Sequence, residues 1–98
     1  MEARFRDKDL DRLETDPGFD GGFSQPIVKA FRKRMQFIRA AEDDRAFYAM
    51  RSLNFERLKG DRANQYSMRL NIQWRLILEI EAVERDRIVF VVSIEDYH

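Results

Sequence analysis

The sequence predicts an α+β domain in which N-terminal helices pack on a small antiparallel β-sheet. Two observations predict it. Apolar residues recur at helical spacing in the first half of the chain and alternate with polar ones from Tyr66 onward. Helices followed by a run of strands give a layered α+β arrangement rather than alternating crossover units. The whole chain, 1–98, is read as a single domain, because a chain this short supports one modest core.

Element by element, Met1 to Phe5 reads as a short first strand, and Asp7 to Thr15 as a polar helix turning Leu10 and Leu13 inward. Asp16-Pro17-Gly18 and Gly21-Gly22 interrupt regular structure and mark a loop. Ser24 suits an N-cap and Pro26 the first turn of a helix. From there to about Ala41, the residues Ile27, Phe31, Met35 and Ile38 form one apolar face, with Lys29, Arg32, Lys33 and Arg39 mostly elsewhere on the cylinder. A second short helical stretch runs from about Asp43 to Met50. Tyr66, Met68 and Leu70 then alternate with Ser67, Arg69 and Asn71. Trp74, Leu76, Leu78 and Ile80 alternate with Arg75, Ile77, Glu79 and Glu81, and Ile88 to Ile94 is almost continuously apolar. These segments read as three antiparallel strands joined by tight turns.

The register of the first hairpin follows from the pattern, since a slip of one residue would send every side chain to the wrong face. A turn centred on Ile72 pairs Leu70 with Trp74, Met68 with Leu76 and Tyr66 with Leu78, all facing the helices. The same register sets Arg69 opposite Arg75 on the outer face. Like charges directly opposed are destabilising, so the pair expects an anion between them, or a carboxylate such as Glu79, Glu81 or Glu95.

Charge and composition narrow the function classes. The formal net charge is zero, yet it is unevenly spread. Met1 to Asp20 carries seven acids against four bases, Lys29 to Arg39 five bases and no acid, and Arg57 to Arg75 five bases against Asp61. Such a chain is no general nucleic-acid binder, but a local basic field can gather a polyanion. The absence of cysteine excludes disulfides and thiolate metal sites, and a lone histidine argues against zinc. No metal or cofactor is expected. Neither a signal peptide nor an apolar run of the ~20 residues needed to span a membrane is visible, so a soluble cytoplasmic protein is expected.

Three short motifs stand in order near the C-terminus: Leu58-Lys59-Gly60-Asp61-Arg62, then Arg69-Leu70-Asn71-Ile72-Gln73-Trp74-Arg75, then Asp96-Tyr97-His98. Together they resemble the killer-protein branch of the RelE/ParE toxins, of HigB or plasmid-maintenance type. The resemblance implies a compact RelE-like fold and a HigA-like helix-turn-helix antitoxin, encoded alongside, through which the complex would bind operator DNA. It also implies cleavage of mRNA in the A site of the 70S ribosome. It assigns catalysis to Lys59, Arg75, Asp96, Tyr97 and His98, and RNA or phosphate contacts to Arg69, Arg62 and Asn71. Two positions depart from the family pattern. Asn64 stands where a glycine is common, and Glu56 where some relatives carry a histidine, which makes Glu56 an alternative base. The same fold also serves ParE-like gyrase inhibitors, a non-catalytic alternative.

The residue types fit metal-free RNA cleavage. A base removes the 2′-hydroxyl proton, cations hold the charge on the phosphorane, and an acid protonates the leaving 5′-oxygen. His98 is the natural proton donor, since nearby carboxylates favour imidazolium. Arg69 and Arg75 offer forked guanidinium donors to a phosphate. Lys59 suits a clamp or a base, and Tyr97 a stacking or hydrogen-bonding contact. Trp74 and Leu58 are read as core and Gly60 as a turn residue. The basic face from Lys29 to Arg39 is read as solvated, with ribosomal-RNA docking the alternative.

Overall fold

The computed structural model describes residues 1–96 of the chain. Its elements run β1 (Glu2–Phe5), α1 (Lys8–Thr15), α2 (Gln25–Ala40), α3 (Arg45–Ala49), β2 (Glu56–Arg57), β3 (Gln65–Arg69), β4 (Trp74–Val83) and β5 (Asp86–Asp96). Single 3₁₀ turns at Arg51–Leu53 and Gly60–Arg62 flank β2. No helix among the described residues is long and apolar enough to cross a membrane.

Local chemistry starts the helices where expected. The Asp7 carboxylate accepts the Asp9 amide at 2.8 Å and opens α1. Ser24 sits at the N-cap of α2, but its hydroxyl makes no capping bond; Pro26 in the first turn fixes the entry instead. Leu10 and Leu13 of α1 and Ile27, Phe31, Met35 and Ile38 of α2 are buried, as their spacing requires. Two arginines of α2 tie α1 and its following loop in place. Arg32 donates to the carbonyls of Leu13, Asp16 and Phe19 at 2.9, 3.0 and 3.2 Å. Arg39 grips Glu14 with two bonds of 2.7 and 2.8 Å and reaches the Ala3 carbonyl at 3.3 Å.

The sheet has five strands in the order β1-β5-β4-β3-β2. Its three antiparallel pairings include the expected hairpin register, with Tyr66 opposite Leu78, Met68 opposite Leu76, and Arg69 opposite Arg75. The sheet is mixed rather than wholly antiparallel, because β1 lies parallel to β5, Ala3 beside Val89 and Phe5 beside Val91. That contact joins the two ends of the chain, and no local pattern announces it. β2 is a two-residue edge that periodicity could not register. Gly60 adopts the left-handed conformation (φ 72°) that its turn demands, whereas Asn64 does not, so asparagine in place of glycine there brings no strain.

A register shift lies between the pairs Ile77–Ser93 and Leu78–Val91, leaving Val92 as the extra residue of a β-bulge. The side-chain period is two, so one inserted residue inverts the faces beyond it. Val89, Val91 and then Ile94 face the helices, whereas Ser93 and Glu95 turn outward. Without the bulge, Glu95 would point into the apolar core.

Candidate active site on the outer sheet face

Strand pairing lays two rows of side chains across the outer face. Glu56, Ser67, Ile77 and Ser93 form one, and Arg69, Arg75 and Glu95 the next. Arg75 stands at the centre. Only 5% of it is exposed, a depth at which a guanidinium needs partners. Its Nη1 donates to Ser67 Oγ at 2.9 Å and lies 3.4 Å from Glu56 Oε1 at the sheet edge. Ser67 is itself fully buried. An open pocket of about 220 Å³ lies over this centre, lined by Glu56, Leu58, Arg62, Ser67, Arg75, Ile77, Glu95 and Asp96.

The pocket's far wall is a fork-to-fork ion pair. Arg62 meets both oxygens of Glu95 at 3.0 and 2.8 Å. The Arg62 guanidinium holds the Glu95 carboxyl below its ordinary pKa, helped by the Ser93 hydroxyl at 2.7 Å. Glu95 in turn raises the pKa of Arg62. The chain of contacts continues across the sheet. Arg62 Nε donates to Gln65 Oε1, Gln65 Nε2 to Glu79, and Arg6 to both Glu79 and Glu81. Arg6 also lies over the Phe90 ring, 4.0 Å from its centroid. Glu79, Glu81 and Glu95 are thus engaged by Arg6 and Arg62, while the carboxylate that meets the opposed pair is Glu56, at Arg75.

The expected site residues are therefore only partly assembled. Arg75, Glu56, Arg62 and Asp96 share the pocket, and Arg69 flanks Arg75 in register. Among the described residues Arg69 makes no ion pair. Asp96 accepts a bond from Gln73 Nε2 at 3.1 Å. Lys59 is exposed and does not line the pocket. The Asn71 side-chain oxygen accepts the amides of Gln73 and Trp74, both at 2.8 Å, which shapes the β3–β4 turn. Leu58 is half-buried and lines the pocket. Trp74 packs partly buried against the core, edge-on to Phe23. Tyr97 and His98 lie outside the described residues. Ser67, Gln65 and Ser93 were not singled out from sequence, because a lone uncharged polar residue on a strand looks like any solvated position.

No group of three histidine, cysteine or carboxylate side chains able to hold a metal occurs among the described residues. What the arrangement offers is charge. A buried guanidinium and its cationic neighbour can hold an anionic oxygen, and a half-exposed carboxylate stands beside them at the rim.

Comparison with known proteins bears on the family and the fold. A family model described as a RelE-like toxin of the type II toxin–antitoxin system HigB matches residues 3–98. Among solved structures, a YoeB/ParE toxin from Agrobacterium tumefaciens superposes with a TM-score of 0.59 at 18% identity, covering 100% of both chains. That likeness speaks for the fold. No curated protein sequence matches the chain. With its fold, its motifs and the family match over nearly its full length, the chain belongs to the HigB-like family of RelE-like toxins from type II toxin–antitoxin systems.

Proposed function

We propose that this toxin is a ribosome-dependent endoribonuclease that cuts mRNA in the A site without a metal ion and so halts translation. The observation that carries the proposal is the buried Arg75 guanidinium with the Glu56 carboxylate 3.4 Å from its Nη1, in an open pocket. Glu56 accepts the proton of the 2′-hydroxyl. The 2′-oxygen attacks phosphorus as the bond to the 5′-oxygen breaks, leaving a 2′,3′-cyclic phosphate. Arg75 stabilises the charge on the phosphorane, with Arg69 alongside. Glu95 is unsuited to the base role because Arg62 and Ser93 already occupy its oxygens. Lys59, exposed at the margin, suits an electrostatic contact to a neighbouring phosphate. The leaving 5′-oxygen takes its proton from His98, a role that follows from the resemblance and from imidazole chemistry, with Asp96 and Tyr97 in support. Arg62 serves as the pocket wall and meets RNA only in competition with Glu95. Asn71 contacts RNA through the part of its amide that the turn leaves over. A HigA-like antitoxin restrains the toxin and carries the complex to operator DNA, and residues 1–98 act as a single domain.

Mapping mRNA 5′ ends after brief induction tests the proposal. The wild-type chain is expected to generate new ends at codons in translated messages. Glu56→Gln is expected to slow their appearance by about 10²–10⁴-fold, the usual share of a positioned base. Loss of His98 should have a comparable effect. Intact mRNA with arrested growth overturns the proposal, and gyrase-linked DNA breaks alongside intact mRNA establish the ParE-like alternative.

A further inference from the structure

The cations of α2 divide into two sets. Arg32 and Arg39 are spent on α1 and its loop, as described above. Lys29, Lys33 and Arg34 take part in no hydrogen bond or ion pair among the described residues. Arg34 is the telling one. It is only partly exposed, its Nε is shielded from solvent without a hydrogen-bond partner, and burial lowers its pKa. Burial without a partner makes this cation costly to hold, and an acceptor brought to the part of Arg34 that stays exposed would offset that cost.

Lys33 and Arg34 precede Phe37 by four and three residues, so they share its side of the helix. Phe37, Ala46, Ala49 and Met50 there line an open apolar groove of about 420 Å³ between α2 and α3. Met50 is 40% exposed and the adjacent Tyr48 57%. The groove shares no lining residue with the Arg75 pocket.

We infer that this groove and its cations are the docking site for the toxin's protein partner, the antitoxin, through an acidic amphipathic segment. Apolar side chains at helical spacing enter the groove beside Met50, and carboxylates on the flank reach Lys33 and Arg34. RNA is the poorer occupant, since its phosphates would satisfy the cations and leave the groove unfilled. The inference rests on membership of a toxin–antitoxin family and not on the proposed catalysis. It also leaves the outer-face pocket uncovered by this contact.

The test is calorimetric titration of the full-length toxin with the purified product of the neighbouring gene. Melting curves confirm that each variant is folded. The double charge reversal Lys33→Glu with Arg34→Glu is expected to weaken binding roughly a hundredfold and to flatten its salt dependence. Lys33→Glu alone and Met50→Asp, both at exposed positions, give smaller losses and stand in should the double variant not fold. Arg75→Ala is expected to bind as the wild type does. The inference is overturned if the groove variants bind normally, if Arg75→Ala loses affinity instead, or if the neighbouring product does not bind at all. Normal partner binding with reduced ribosome co-sedimentation also overturns it and assigns the face to RNA. An intact transcript pool would refute the proposed nuclease activity and leave this inference standing.

Discussion

The two faces of the sheet bury side chains by different rules. On the helix side Met68, Leu76, Leu78, Val89 and Val91 are all fully buried and wholly apolar, and need nothing but close packing. On the outer side Ile77 is buried as well, but beside it lie the buried polar groups Ser67 and Arg75, each held by a polar partner. The first arrangement excludes water from hydrocarbon and sets stability. The second holds a charge at a fixed place in a low-dielectric setting, where it acts strongly on an incoming anion. The bulge at Val92 keeps the two separate, because it delivers Ser93 and Glu95 to the polar face and Ile94 to the apolar one.

The most direct way to break this comparison is to exchange the effects. Phe31→Ala removes a fully buried ring from the helix-side core and is expected to cost about 3–5 kcal/mol. That is a large share of the ~5–15 kcal/mol that holds a domain together. Arg75→Lys keeps the charge but loses the forked donors, and should reduce mRNA cleavage roughly 10²–10³-fold. Its stability loss should stay near 1–2 kcal/mol, from the unmet Ser67 hydroxyl and imperfect packing. Paired urea melts and 5′-end mapping check both. If Arg75→Lys unfolds the protein as readily as Phe31→Ala does, the outer face is a structural element and the division fails.

How far the sequence disclosed this division depends on the range of the interaction. The helices were legible because each residue of the Ile27, Phe31, Met35, Ile38 stripe lies one turn from the next. The β3–β4 register was legible because one slip would have buried charge, and the opposition of Arg69 to Arg75 followed from it. Three things were not. The parallel contact of β1 with β5 joins segments at opposite ends of the chain. The bulge hides within an apolar run, where either parity looks acceptable, so the sequence offered Glu95 as an outer-face carboxylate without showing the inserted residue that turns it there. The partnership of Arg75 with Glu56 depends on a two-residue edge strand with no periodicity. Sequence therefore named the cations of the site better than the carboxylates that hold them.

The smallest expected effect sharpens the account of the pocket wall. Arg62 holds the Glu95 carboxyl below the 4.5 of a free glutamate. A carboxyl depressed in the folded state contributes stability above its unfolded pKa, and that contribution disappears as pH falls through the folded value. Glu95→Gln should therefore be less stable than the wild type at neutral pH. The side chains of Arg62 and Glu95 are 43% and 39% exposed, so solvent screening limits the gap to below about 1 kcal/mol. The gap should begin to close as pH drops beneath 4.5 and vanish once Glu95 is protonated in the folded protein. Asp16 and Asp43 are also depressed, by contacts with Gly18 and Arg12 and with Arg45 respectively, but they remain in both proteins and cancel from the difference. Urea melts of the two proteins at stepped pH measure it. A gap that is constant, or that widens in acid, would mean that the Arg62 fork does not hold Glu95. Arg62 would then be open to phosphate from the start.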